Sequence, residues 1–473
     1  MKKLTGLLSL VLAFVLILAA LSGCSGSRNT SGEDTSNSGK EPVNNETGES
    51  KNEEENKEEE ITMDLQGRTI RRGAWWTTKP EAGSSEGADR EIERVAELEE
   101  KYNFKMEYVE VPYEQYMETF TASTLANDPF ADFAVIGVGE FYPSLVTSGF
   151  LYPVSDLGVF DFDEPKWQKV SVEFGTYKGK VYGFEVGDIY VRGGLFWNKT
   201  MFEREGLPNL YELVDKKEWT WDKMLEIAQK ATKDTDGDGI VDQWGIGGLD
   251  FDQAILLSNN TATVSIDDQG MPVFSLASPP AIEALQFYQD LIQVHKVMEI
   301  PPDGAPWDYA TQQFQNGNYA MYYGYWWQAG GFRENMQDDY GFTFFPMGPN
   351  ADGYYSDLTG HLLTVIPSTV KNPKEVAFIY DLYTEPYPDT DPDSWKEGYE
   401  ADADDAETIE TIGRIIKENL SVINVLGCFN DMYSLRDRYL AEIRSGSKTA
   451  KVAIEGVIQE AQVILDDAMK VTK

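Results

Sequence analysis

Two cysteines and two histidines are all that 473 residues contain. The cysteines are Cys24 and Cys428, so one disulfide is the most the chain can form. A fold with so few covalent staples rests on its hydrophobic core. The histidines, His295 and His361, are far apart, which excludes a paired-histidine zinc helix. H-E-x-x-H, G-x-S-x-G and the phosphate-cradling Walker loop are all missing. Basic residues are also short: 40 Lys and Arg stand against 80 Asp and Glu, a formal net charge of −40. Nucleic acid is thereby excluded as a partner, since binding it needs Lys and Arg to replace counterions. The same surface avoids adhering to anionic membrane and wall polymers. Acids are plentiful, so two-carboxylate glycoside hydrolysis is not excluded by motif.

One sustained apolar run exists, Leu7 to Ala20, behind Lys2 and Lys3. It is short for a permanent span and is followed by small residues, as in a cleaved signal. LSGC at 21–24 resembles the lipobox of bacterial lipoproteins. That resemblance implies a signal peptide at 1–23, lipid (palmitate among it) on Cys24, and anchoring in the cell membrane facing outside the cytoplasm. Two acyl chains hold such an anchor where one is marginal. With Cys24 lipidated, Cys428 has no disulfide partner. Residues 24–62 are Ser, Asn, Gly, Glu and Lys with a self-repelling EEENKEEE at 53–60. They cannot bury enough surface to offset ordering entropy and are read as a disordered acidic tether.

The remaining length is too great for one ordinary domain and suits two. RTIRRGAWW (68–76) reads as a strand, with a helix after Asp89 as its cap and ending near Tyr102–Asn103. FKMEYVEV (104–111) is a second strand, Tyr116–Leu125 a helix, and NDPFADFAVIGV (127–138) a turn into a buried strand. Strands alternating with helices point to a parallel α/β sheet, whose ligands bind off the carboxyl ends of its strands. That rule nominates Trp75, Trp76, Glu140, Phe141 and Tyr142.

Residues 190–248 repeat the logic: a β-rich run to Asn198, a Gly-Pro break at 206–208, a helix from Trp221 capped by Thr220, an Asp/Gly loop, a new apolar run. This stretch resembles one in family 1 extracellular solute-binding proteins of ABC transporters, with a strand ending NK, a helix ending GLP and a TWD helix start. FYPSLVTSGFL, YKGKVYGFEV, FQNGNYAMYYGYWW and NPKEVA match that family in order. Glu185 departs from it, standing where proline is frequent.

The resemblance implies a two-lobed, type II periplasmic-binding-protein-like α/β fold, each lobe a mostly parallel sheet flanked by helices and joined by a hinge. It places 63–190 plus 324–372 in the N-terminal lobe and 191–323 plus 373–473 in the C-terminal lobe. It implies a carbohydrate ligand, an oligosaccharide by preference, captured by hinge closure and passed to membrane permease subunits by a monomeric, non-enzymatic protein. It also carries over Tyr325, Trp326 and Trp327 as cleft residues beside Glu140, Phe141 and Tyr142. Asp188 and Arg192 at the first hinge crossing, Asp250 and Asp252 after a second-lobe strand, and His361 near the hinge complete the candidate set. Flat aromatic rings suit a sugar's apolar face and carboxylates its hydroxyl rim. A secreted carbohydrate-active enzyme and a ligand-sensing lipoprotein are the competing readings.

DTDGDGIVD at 234–242 places Asp234, Asp236 and Asp238 at positions 1, 3 and 5 of a calcium loop, and Asp242 at position 9. Gly245 occupies position 12, where a bidentate glutamate belongs, so one ligand is missing. A structural Ca2+ ion is the expectation; a plain Asp/Gly turn is the alternative. Residues 384–410 read as an irregular surface insertion.

Overall fold

The structure, a computed structural model, describes residues 63–187, 190–267, 269–302, 304–356, 362–418, 420 and 422–470. The proposed signal, Cys24 and the tether lie outside the described residues, as do Asp188 and His361. Among the described residues no helix is long and apolar enough to cross a membrane.

The chain starts with β1 (Arg68–Ala74), α1 (Glu86–Tyr102), β2 (Phe104–Glu110), α2 (Tyr113–Leu125) and β3 (Phe133–Gly137). After β4 (Gly183–Phe184) it crosses to a second sheet. There it builds β5 (Gly193–Asn198), α3 (Trp221–Ala231), β6 (Trp244–Gly248), α4 (Phe251–Leu257), α5 (Pro279–Gln293), β7 (Tyr319–Tyr325) and β8 (Tyr340–Thr343). It returns as β9 (Leu362–Val365) and α6 (Pro373–Tyr383), then crosses again to α7 (Ala406–Glu418), α8 (Asp431–Arg444) and α9 (Ile458–Ala468).

The first sheet has the order β2-β1-β3-β9-β4 and the second β8-β5-β7-β6. The α/β class and the two lobes stand as expected, but both sheets are mixed. β1 pairs β2 and β3 in parallel, whereas β9 runs antiparallel to β3 and β4. β7 is parallel to β6 and antiparallel to β5. The reason is the crossings. A strand arriving from the other lobe enters at the cleft edge and must run away from it, opposite to a strand fed by its own helix.

Two expected boundaries move. β8 pairs with β5, Tyr340 opposite Asn198, so the stretch 324–343 stays in the second lobe. α6 buries Val376, Ala377, Ile379 and Tyr380 against Ile70, Phe133 and Phe184 in the first lobe's core, so 373–383 belongs there. Local chemistry explains most element ends. Ser85, not Asp89, caps α1, accepting the Ala88 N–H, and Asn103 stops the helix in the left-handed region (φ 52°). Thr220 caps α3 as expected. The C-terminal helix breaks at Gly456 into Ala450–Glu455 and α9. The second lobe's core is aromatic: Phe196 of β5 lies among Phe342, Phe332, Tyr340 and Trp326.

Candidate functional site: the cleft between the lobes

Strand direction brings the functional side chains together. β3 ends at Gly137 opposite the start of β9 at Leu362, and β7 ends at Tyr325 opposite the start of β5 at Gly193. The exits of β3, β6 and β7 and the starts of β5 and β9 therefore share one edge. A cavity of about 370 Å³ lies there. The first lobe lines it with Gly137, Val138, Gly139, Glu140, Phe174 and Leu362. The second supplies Arg192, Asp250, Gln253, Leu257, Tyr325, Asn424, Leu426, Gly427, Cys428, Tyr433 and Arg436.

A hydrogen-bonded network forms the second-lobe wall. The Tyr325 hydroxyl donates to Asp250 Oδ2 at 2.8 Å. Arg436 Nη2 donates to Asp250 Oδ1 at 2.7 Å, and its Nε to Asp252 Oδ2 at 2.8 Å. Gln253 Nε2 donates to the same Asp252 oxygen at 2.7 Å, and Gln253 Oε1 accepts from Asn424 Nδ2 at 2.9 Å. Asp252 has no exposed surface. Burial raises its carboxyl, but Arg436, with Arg444 behind it, outweighs burial and holds it below the ordinary carboxylate range. Burial opposes the Arg436 charge in the same way, and Asp252 and Asp250 overcome it, holding the guanidinium above its usual value. Asp250 itself takes a left-handed backbone conformation (φ 44°) where β6 turns into α4. Arg192 lies over the Tyr325 ring, 5.1 Å from its centroid.

The lobes also touch beside the cavity. The Tyr142 hydroxyl donates to Gly270 O at 2.8 Å, and its ring meets Phe429 edge-on at 6.0 Å. Cys428 Sγ sits 3.5 Å from Val138 O. Burial, with Glu140 nearby, pushes the Cys428 thiol up to about 12.

Of the expected residues, Glu140, Arg192, Asp250 and Tyr325 line the cavity and Asp252 braces it from beneath. Six others do not line it. Phe141 is buried in the core, and Tyr142 is spent on the contact between lobes. Trp75 and Trp76 follow β1, stacked edge-on at 4.9 Å, with Trp75 also against Tyr113 and Tyr116. The two tryptophans after β7 divide. Trp326 is 1% exposed, sealed against Phe196, Phe342 and Tyr399, which corrects its expected place in the cleft. Trp327 is 60% exposed, 6.3 Å from the ring of Trp307, itself 72% exposed. The sequence reading missed Arg436, Gln253, Asn424, Cys428 and Tyr433. Only the surplus of acid over base could have drawn attention to Arg436, a cation that must find a carboxylate.

At the Asp/Gly loop, Asp234, Asp236 and Asp242 bring ligand atoms within 4.8 Å of one another. Asp238 is not among them; its carboxylate accepts the Ile240 N–H at 2.7 Å. Gly245 is fixed by packing, since a Cβ there would collide with the backbone of Ala228 in α3.

This architecture recurs in solved proteins. UspC of M. tuberculosis superposes with a TM-score of 0.58 at 16% identity, covering 85% of this chain and 100% of that one. A cyclo/maltodextrin-binding protein complexed with maltotetraose gives 0.55 at 15% identity, covering 86% and 98%. Among curated proteins, an arabinooligosaccharide-binding protein of Halalkalibacterium halodurans is 26% identical over 261 residues, 54% of this chain. The match spans about half of that relative's length (51%). The family profile described as bacterial extracellular solute-binding protein matches residues 82–386. Two lobes, a cleft at their strand ends and a profile covering more than half the residues agree: the chain belongs to the bacterial extracellular solute-binding protein family.

Proposed function

We propose that the cleft captures an oligosaccharide by hinge closure and that the protein, held at the membrane by lipid on Cys24, delivers it to the permease of an ABC importer. The observation carrying this reading is the Tyr325–Asp250–Arg436 network on one wall facing Glu140 on the other. Two carboxylates hold the one Arg436 guanidinium, so the network offers directed donors and acceptors with acid in excess of base. That chemistry suits the hydroxyls of a neutral sugar better than an anion. Trp327 and Trp307, beginning two residues past Tyr325, add flat faces for further rings. A ligand touching both walls binds the closed arrangement better and shifts the population toward it.

The relatives support the ligand class, being an arabinooligosaccharide binder and a protein crystallised with maltotetraose. They are binding proteins, which supports capture over turnover. LSGC at 21–24 supports the anchor. A thermal-shift screen of arabino- and malto-oligosaccharides tests the reading. A bound sugar raises the melting temperature, and the rise grows with the logarithm of its free concentration over Kd. No shift with any sugar, or release of shorter products, overturns it.

A further inference from the structure

Tyr399 stands where three chain segments meet. It lies in the short helix Glu397–Glu400, on the third crossing between lobes, and is 4% exposed. Its hydroxyl accepts the backbone N–H of Val191 at 3.0 Å. Its ring stacks on Tyr190, with centroids 5.6 Å apart and planes 24° apart, and lies 5.4 Å from the ring of Trp326. Trp326 in turn donates its backbone N–H to Arg192 O at 2.7 Å. Tyr190, Val191 and Arg192 are the end of the first crossing. Val191 is wholly buried, and among the described residues that hydroxyl is what satisfies its N–H.

The third crossing is itself tied to both lobes. Before Tyr399, Arg94 of α1 covers the Tyr387 ring at 3.6 Å and Arg90 pairs with Asp389. After it, the Tyr340 hydroxyl bonds Asp402 O, and Lys199 pairs with Asp405 at 2.6 Å. The segment read from sequence as a surface insertion is thus a strap, and Tyr399 is its contact with the hinge. One residue beyond Val191, Arg192 enters the cavity.

We propose that Tyr399 is a positioning residue: by clasping the first crossing to the third, it sets where Arg192 stands in the cleft and keeps that placement in step with lobe closure. This rests on the cleft being the solute site, and on no particular sugar.

Tyr399→Phe is the informative variant, because it keeps the packed ring and removes only the hydroxyl. Hydrogen exchange on the full chain should show the Val191 amide exchanging at least about tenfold faster, with the amides of β1–β3 unchanged. A double-mutant cycle with Arg192→Gln, using arabinotriose, supplies the second arm. The substitution should weaken binding about 3- to 10-fold with Arg192 present, and less than about twofold in Arg192→Gln. Unchanged exchange at Val191, or an equal penalty in both backgrounds, overturns the proposal. Where the unmodified chain does not bind arabinotriose, the cycle uses the sugar found by thermal shift; failure with every sugar counts against the proposed function, and the exchange arm then decides the clasp alone.

Discussion

Arg436 reaches from α8 to bind the carboxylate of Asp252, a residue 184 positions earlier in the chain and without exposed surface. The pair joins the C-terminal helices to the turn that forms the cleft wall. It is also the point where stability and the site share the same atoms.

Breaking that pair should be costly. Arg436→Ala leaves Asp252 ionised and buried, with Gln253 as its remaining side-chain donor among the described residues. Loss of one partner from a buried ion pair costs about 3–5 kcal/mol. Urea denaturation should show that loss, together with abolished sugar binding. A loss below about 1 kcal/mol would mean the pair is solvated.

The same pair sets an acid limit. The folded-state carboxyl of Asp252 lies below 3.8, the ordinary value of an aspartate. A depressed value means the unfolded chain binds the proton more readily. The stabilisation is therefore fully present above the unfolded value and is lost as pH falls through 3.8 toward the folded value. The stability gap between the native chain and Asp252→Asn should narrow over that window in acid denaturation curves. A gap constant from neutral pH down to pH ~3 would contradict the assignment.

The adjacent tryptophans should behave differently. Trp326→Ala empties a packed aromatic site and should cost about 3–5 kcal/mol in stability. Trp327→Ala should leave stability within about 0.5 kcal/mol while weakening oligosaccharide binding by at least ~1 kcal/mol. Calorimetry and denaturation on the two variants separate the effects; equal profiles would refute the division.

Cys428 should be nearly inert. A thiol pushed up to about 12 carries little thiolate at pH 8, so iodoacetamide should modify the folded chain far more slowly than the unfolded one. Equal rates would show the thiol is not buried as described.

The Asp/Gly loop carries a separate expectation. With Asp234, Asp236 and Asp242 converging, chelation by EDTA should lower the melting temperature, and added Ca2+ should restore it. An identical midpoint in metal-stripped and calcium-loaded protein would leave the loop as a simple turn.

Much of the fold was legible because its signals are local. Thr220 capping α3 and the apolar run of β3 depend on neighbours a few residues away. The boundaries at 324–372 and 373–473 were misplaced because β8 and α6 choose their lobe by long-range pairing, Tyr340 with Asn198 and Tyr380 with Phe133. Within the site, Asp250 and Tyr325 follow from strand ends, a rule of topology. Arg436 and Asn424 come from a late segment whose partners are remote in sequence. Trp326 and Trp327 are adjacent and chemically identical. Only the turn after β7 decides which faces the core and which the solvent.

The central claim is that a solute bridges two lobes and draws them together. Spin labels at the exposed positions Glu97 in α1 and Gln459 in α9, with Cys428 replaced by Ser, report the distance between lobes directly. Adding a saturating arabino- or malto-oligosaccharide identified by thermal shift should move the distribution to a single, shorter and narrower peak. A distribution unchanged at saturation would contradict capture by closure.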